Sequence, residues 1–555
     1  MSFSIPFYGP SYDFFDGAFG DPRNIPYTVN IDGQVYPIDI DNYRHNGVTR
    51  FRQGVSTSGE VNDQLLNSEP SWWRYRFDWS SGAGQEIDEL DQDSVASRYE
   101  ASRGINPWDQ FQVCLHNATE NVLTVAASDV HMVSTGSYMY VSDGTGVKRS
   151  ADLITWNSIT GLSGTVQGMC SDGTNCYIAT SADVYTVAST LAASLTSTAG
   201  TADYQHIAFV SNRLLVAQDN IIGELTPTTF DAFYTHFQSA FIWTTVFNVG
   251  SRIYVGGYAG NRSELYTLTT DDTGALIRSS EAASFFAGEL LQTALSYGGS
   301  VLLGTSEGIR FAQLGGDATL TYGPLIDDFG GCEAIAAQGR FAYASVENFP
   351  GTGSGVVRLA LDEFTKELLP AYATDEFTEA SSDTITDVAR FGSKTCFAIG
   401  ADAVYATDLT AYVTTGYLDS GDITFGTVED KSVSELRVRY DDLAANETVT
   451  ALMTDRAGTT VGTKTDTIDG SGQMNLDVVG NNVDRARVRI TLVGDGTTTP
   501  CLREWRMRAY PIAPGVEEWL VPLIIHSQVV VNDSEGQILS IDPWSATARI
   551  RDVWQ

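Results

Sequence analysis

The sequence predicts an all-β fold: a seven-bladed β-propeller between an N-terminal β-rich aromatic segment and a C-terminal β-sandwich. Three observations predict it. The composition favours strands and tight turns over helices, with 52 Gly and 25 Tyr in 555 residues and almost no helical A/E/K/L runs. A hairpin of one recognisable pattern recurs along the middle of the chain. A third strand-like element follows each copy at a similar offset.

The hairpin is clearest in FNVGSRIYVGG at 247–257, where a Gly-Ser turn joins two runs of alternating large and small side chains. It recurs as VSTGSYMYVS around Gly136, CSDGTNCYIAT around Gly173 and FVSNRLLVAQ around Asn212. Further copies are SYGGSVLLGT around Gly299, AAQGRFAYAS around Gly339 and RFGSKTCFAIG around Gly392. The copies are spaced by roughly 37 to 53 residues, the range expected of propeller blades. Gly or Asn at the turn supplies the positive φ of a short hairpin.

The third elements are GVKRS, DVYTV, IIGEL, ELYTL, GIRFA, VVRLA and AVYAT. A looser fourth strand follows, for example WNSITGL from Trp156 and YVTTGYL from Tyr412. Four strands per repeat bury their faces only against neighbouring repeats, which is the logic of a propeller. The count is seven, or eight if LTVAAS at 123–128 belongs to a further blade. The same segment could instead supply a strand to the last blade and close the ring. RSADLITWNS at 149–158 resembles a degenerate Asp-box, with Ser150, Asp152 and Trp156 near the usual places, and serves as a fold signal only.

Residues 1–115 lack the repeat and are expected to form an anchoring region. They hold a hairpin, YTVNIDGQVYPIDI, turning at Asp32-Gly33, and the aromatic stretch SWWRYRFDWSSGAGQ at 71–85. That stretch reads either as a two-sided strand in a packed sheet or as a protein interface built on Trp72, Trp73, Tyr75, Phe77 and Trp79. The acidic run EIDELDQD at 86–93 lacks the EF-hand pattern and reads as a solvated face or helix start, ahead of calcium binding. After the propeller at 116–416, residues 417–512 give strands ITFGTV, VSELRVRY, TVTALMTD, RARVRITLV and LREWRMRAY, a β-sandwich. Residues 513–555 hold EEWLVPLII and a hairpin in SQVVVNDSEGQILSI, a docking segment.

A formal charge of −36 opposes binding to nucleic acid or to an anionic membrane. The N-terminus lacks a signal-peptide pattern, and no apolar run reaches membrane-spanning length. Six cysteines without metal-site spacing read as buried free thiols, Cys114 and Cys501 among them. Six histidines are dispersed, His131 and His206 entering their repeats at similar points. Arg213, Arg252 and Arg340 share a repeat position, and Arg310 and Arg358 lie in third elements; shared repeat positions favour structural roles. No triad, elbow or phosphate-loop motif is present. No catalytic residue, cofactor or metal is expected.

FDWSSGAGQ with its downstream SRYEASRGINPWDQ, and LDSGDITFGTVEDKSVSELRVRYDDL at 418–443, resemble minor tail proteins of long-tailed bacteriophages infecting actinobacteria. The order of parts is similar too. The resemblance implies a structural virion component at the distal tail tip or baseplate, assembled in the host cytoplasm and contributing to host attachment. Its implied partners are other tail proteins, further copies in a homotrimer or other symmetric oligomer, and a host cell-surface glycan. The rival reading is a propeller-type glycan-cleaving enzyme.

Overall fold

Tight Gly and Asn turns set the architecture. In the computed structural model of the chain, Asn212, Gly250, Gly339 and Gly392 all turn between paired strands with φ of 60–65°. An L side chain resists that conformation, whereas glycine adopts it without penalty. The structure describes residues 72–88 and 98–511, apart from 199–203, 227–228, 273, 316–318, 349–352, 365–368, 379–383, 426–429, 468–471 and 479–481. Strands at 28–31, 34–37, 44–46, 518–520, 530–532 and 538–540 are also described.

The chain divides into two units, Gln53–Tyr510 and a second made of Met1–Arg52 with Pro511–Gln555. In the second unit Thr28–Ile31 pairs Gln34–Pro37, Arg44–Asn46 pairs Glu518–Leu520, and Val530–Asn532 pairs Ile538–Ser540. The first and last of these are the two hairpins expected from the sequence.

The larger unit is all-β, with no helix among the described residues. Seven of its sheets are four-stranded. Sheets 1 to 6 are simple meanders that begin with Met132–Ser134, Val166–Ser171, Tyr204–Val210, Ile242–Val249, Leu291–Tyr297 and Ile335–Gln338. Sheet 7 begins with Ile385–Phe391 and Lys394–Ile399 and continues to Ala403–Tyr412. Each first strand touches the first strand of the next sheet, and that of sheet 7 touches that of sheet 1. Every sheet stays an open ladder; packing, not hydrogen bonding, completes the circuit. This is a β-propeller arrangement.

Its apolar core is accordingly divided into wedges. Met139 and Val141 of sheet 1 pack with Cys396 and Val404 of sheet 7. Leu303 and Ala312 of sheet 5 pack with Tyr254 and Leu265 of sheet 4. Truncating one such leucine costs about 2–5 kcal/mol.

The fourth strand of sheet 7 comes from upstream. Asn117–Thr124 pairs with Ala403–Tyr412, so Leu123 and Thr124 of the LTVAAS segment lie opposite Val404 and Ala403. The strand expected from YVTTGYL goes elsewhere: Thr415–Asp419 joins a five-stranded sheet with Ala486–Val493 and Ala101–Arg103. The Asp-box-like loop secures the closing strand. Asp152 accepts hydrogen bonds from the Ile154 and Thr155 amides at 2.9 and 2.8 Å, and Trp156 Nε1 donates to the Val122 carbonyl at 2.9 Å.

Two further sheets, of five and seven strands, hold the residues on both sides of the propeller. Thr448–Asp455, Ala486–Val493 and Lys431–Tyr440 alternate between buried and more exposed positions, as strands with one covered face do. ITFGTV yields only an isolated bridge at Ile423, and its last residues lie outside the described set. The boundary expected at 115 falls between Val113–Leu115 of a flanking sheet and Asn117–Thr124 of the propeller, but the N-terminal flank is not a region by itself. Trp72–Arg76 and Val113–Leu115 pair with Cys501–Pro511, so both flanks of the propeller build common sheets.

Cys114 and Cys501 form a disulfide across this junction, 387 residues apart in sequence, in place of the two free thiols expected. Local spacing carries no signal for a pair brought together by strand partners so distant. Cys170, Cys176, Cys332 and Cys396 are free, and burial raises each thiol above its ordinary range.

Candidate functional site

The aromatic stretch at 71–85 supplies one strand, Trp72–Arg76, lying antiparallel to Cys501–Pro511. Strand alternation sorts its side chains. Trp72, Arg74 and Arg76 point inward and are buried, while Trp73 and Tyr75 point outward. Inside, Trp72 stacks on Phe425 at 5.8 Å, and Trp79 is fully buried.

Arg74 and Arg76 meet a buried carboxylate. Asp88 lies 3.1 and 2.6 Å from their guanidinium nitrogens and is inaccessible to solvent. Asp88 belongs to the acidic run expected to be a solvated face, and here it is the counter-ion of a buried cluster. Asp88 is a shared counter-charge for both guanidinium groups, and a buried charge stripped of its counter-ion is costly. Residues 89–93 of that run lie outside the described residues.

Outside, the side chains form a continuous row. Trp73 is 38% exposed and Phe77 45%. Tyr75 stacks on Phe77 at 6.0 Å, and Phe77 on Phe111 at 5.9 Å. The partner strand adds cations in register, with Arg508 opposite Trp73 and Arg506 opposite Tyr75. The Arg508 guanidinium lies 5.2 Å from the Trp73 ring centre and 4.9 Å from that of Tyr510. Of the five aromatics singled out in the sequence, Trp73, Tyr75 and Phe77 lie on this face, whereas Trp72 and Trp79 belong to the core. Phe111, Arg506, Arg508 and Tyr510 complete the face and were missed. The alternation in LREWRMRAY was the available signal for three of them; Phe111 sits in a turn with φ of 63° and had none.

Four of the five arginines singled out in the propeller repeat are engaged in the fold, while Arg252 is exposed. Arg213 pairs with Glu224 at 2.6 Å, Arg340 donates to the Trp108 carbonyl at 3.3 Å, and Arg358 to Asn106 at 3.2 Å. Arg310 forms a buried ion pair with Glu289 at 2.6 Å. His236 is buried against Phe241 with Glu264 3.4 Å away. His131 and His206 do share a repeat position: each lies opposite the residue that precedes the last of its sheet's second strand, as Asp387 does. This brings three titratable side chains to one end of the propeller axis.

No family model and no curated protein matches this chain. Solved structures similar to part of it include virginiamycin B lyase from Staphylococcus aureus, at 9% identity and a TM-score of 0.40, covering 54% of this chain and 99% of that one. The WD40 β-propeller domain of Doa1 is similar at 9% identity and a TM-score of 0.38, covering 53% and 97%. The designed protein Ika8 is similar at 7% identity and a TM-score of 0.36, covering 53% and 100%. Likeness of this depth carries no activity across; the propeller arrangement rests on the sheet order described above.

Proposed function

We propose that this chain is a minor tail protein of a long-tailed bacteriophage, a structural component of the distal tail tip that contributes to attachment to the host surface. In this reading the propeller has seven blades, the two remaining sheets form a β-sandwich, and the chain works as a non-enzymatic scaffold in a symmetric oligomer. The observation that carries the docking part is the outward row of Trp73, Tyr75, Phe77 and Phe111 beside Arg506 and Arg508. Aromatic and arginine side chains dominate the energetic centres of protein interfaces. The backbone of Trp73 and Tyr75 is paired with Cys501–Pro511, so little order is lost there on binding. The resemblance of the 77–110 and 418–443 segments to tail proteins supports the choice of assembly.

The test is incorporation. A W73A/Y75A/F77A variant is expected to keep its melting behaviour, because these side chains face outward, and to enter particles at least about tenfold less than wild type, the loss of a small hot-spot cluster. Normal copy number of the variant in purified particles would refute the docking role. Release of reducing ends from host wall glycans by the purified protein would favour the glycan-cleaving alternative.

A further inference from the structure

Cys114 and Cys501 stand directly opposite each other on paired strands, with Cα atoms 4.3 Å apart. That is the separation of a closely spaced antiparallel pair, so strand pairing alone brings the two sulfurs within bonding reach. Both residues are half-buried rather than sealed in the core. The pairing does not depend on the bond. Val113–Leu115 also pairs with Ile105–Asn106 on its other side. The Leu115 amide donates to Thr499 Oγ1 at 2.8 Å, and the Val413 amide to the His116 carbonyl at 3.0 Å. The Gly494 amide donates to the Thr414 carbonyl at 3.0 Å. These bonds hold the entry and exit of the propeller together whether the two sulfurs are joined or not.

The other four cysteines do not compete for oxidation. Cys170 and Cys176 lie on paired strands one register step apart, and they join core clusters on opposite faces of their sheet. Cys332 lies ahead of sheet 6 and Cys396 within sheet 7, both buried. The thiolate is the species that attacks a disulfide, and burial raises all four of these thiols. The pair at the junction is the one held in bonding geometry by its own strands. A bond there also has a long reach. Its ends are 387 residues apart, so the whole propeller lies within the loop it closes. A cross-link restricts the unfolded chain more as the loop it closes grows longer.

Disulfides persist in oxidising surroundings and are kept reduced in a cytosol. We propose that Cys114 and Cys501 are a redox latch at the root of the propeller: two thiols while the chain folds and assembles in a reducing compartment, and a disulfide after release. The oxidant is a low-molecular-weight disulfide. One cysteine thiolate attacks it, forming a mixed disulfide and releasing one small thiol. The other cysteine thiolate then attacks the protein sulfur of that mixed disulfide, forming the Cys114–Cys501 bond and releasing the second small thiol. The two cysteine protons end on the two released thiols, and the oxidant takes up the two electrons. Closing the latch leaves the fold as it is and stops the two flanks from parting. The latch deepens the virion reading and rests on it for the passage out of a reducing compartment.

The experiment compares the full chain in dithiothreitol with the same chain after treatment with oxidised glutathione. Non-reducing peptide mapping is expected to find Cys114 bonded to Cys501 and the other four cysteines free, with the same circular dichroism in both states. The oxidised chain is expected to melt at least about 5 °C higher than the reduced one. A C114S/C501S variant is expected to melt with the reduced chain and to ignore the oxidant. An unfolded reduced chain, a bond between other cysteines, no bond, or equal melting of the two states would each overturn the latch. Alkylation inside intact bacterial cells producing the chain, before lysis, is expected to trap Cys114 and Cys501 as thiols. Finding them already bonded there would overturn it as well. None of these measurements uses particles, whereas the docking face is read by incorporation of W73A/Y75A/F77A, so failure of the latch and failure of the virion reading are told apart.

Discussion

Asp387 shows how one side chain reports on the propeller axis. It accepts hydrogen bonds from the Met132 amide at 2.5 Å, across the junction of sheets 7 and 1, and from the Val388 amide at 2.7 Å. Burial nonetheless pushes its carboxyl up to about 7, with Asp129 adding to the effect. A carboxyl whose folded value lies above its unfolded value of about 3.9 binds more protons when folded. Its stabilising contribution is complete below that unfolded value and is lost as pH rises through the folded one. Relative to D387N, the wild-type melting temperature is expected to fall from about pH 4 to about pH 7 and to level off above. Parallel melting profiles for the two proteins would contradict burial of this group. The sequence shows Asp387 only as one of 69 acidic residues, whereas His131 and His206 were visible through their place in the repeat. Asp387 follows a bulge as His206 does, so the difference is residue type: one of six histidines draws notice where one of many carboxylates does not.

At the scale of elements, local strands were legible and their distant partners were not. Six of the seven third elements lie wholly within strands of Asp183–Val187 and its counterparts, and the first, GVKRS, coincides with Gly146–Ser150. Hairpin turns announce themselves through Gly and Asn because positive φ excludes most other residues. Nothing local says that Asn117–Thr124 pairs with Ala403–Tyr412, or that Thr415–Asp419 leaves the propeller. Those choices depend on where two remote segments meet in space. The Asp-box-like loop is a middle case, since Asp152 and Trp156 were recognisable while the Val122 partner was not. Trp156→Phe keeps the ring and removes the donor to the Val122 carbonyl, a loss of about 1 kcal/mol. Chemical denaturation is expected to show that loss with an unchanged slope; a variant as stable as wild type would mean the closing strand is held without this bond.

On the scale of the whole molecule, the propeller is an insertion between two flanks that fold together. Strands before it and after it share sheets, and the Cys114–Cys501 disulfide ties them beside the point where the chain enters the propeller. An aromatic and arginine face lies on the flanking sheets. The most direct measurement is electron microscopy of purified particles carrying a label on this chain. The account predicts symmetric label density at the distal end of the tail, with the flanking sheets towards the tail. Particles without the label, or label confined to the head or the tail shaft, would contradict it.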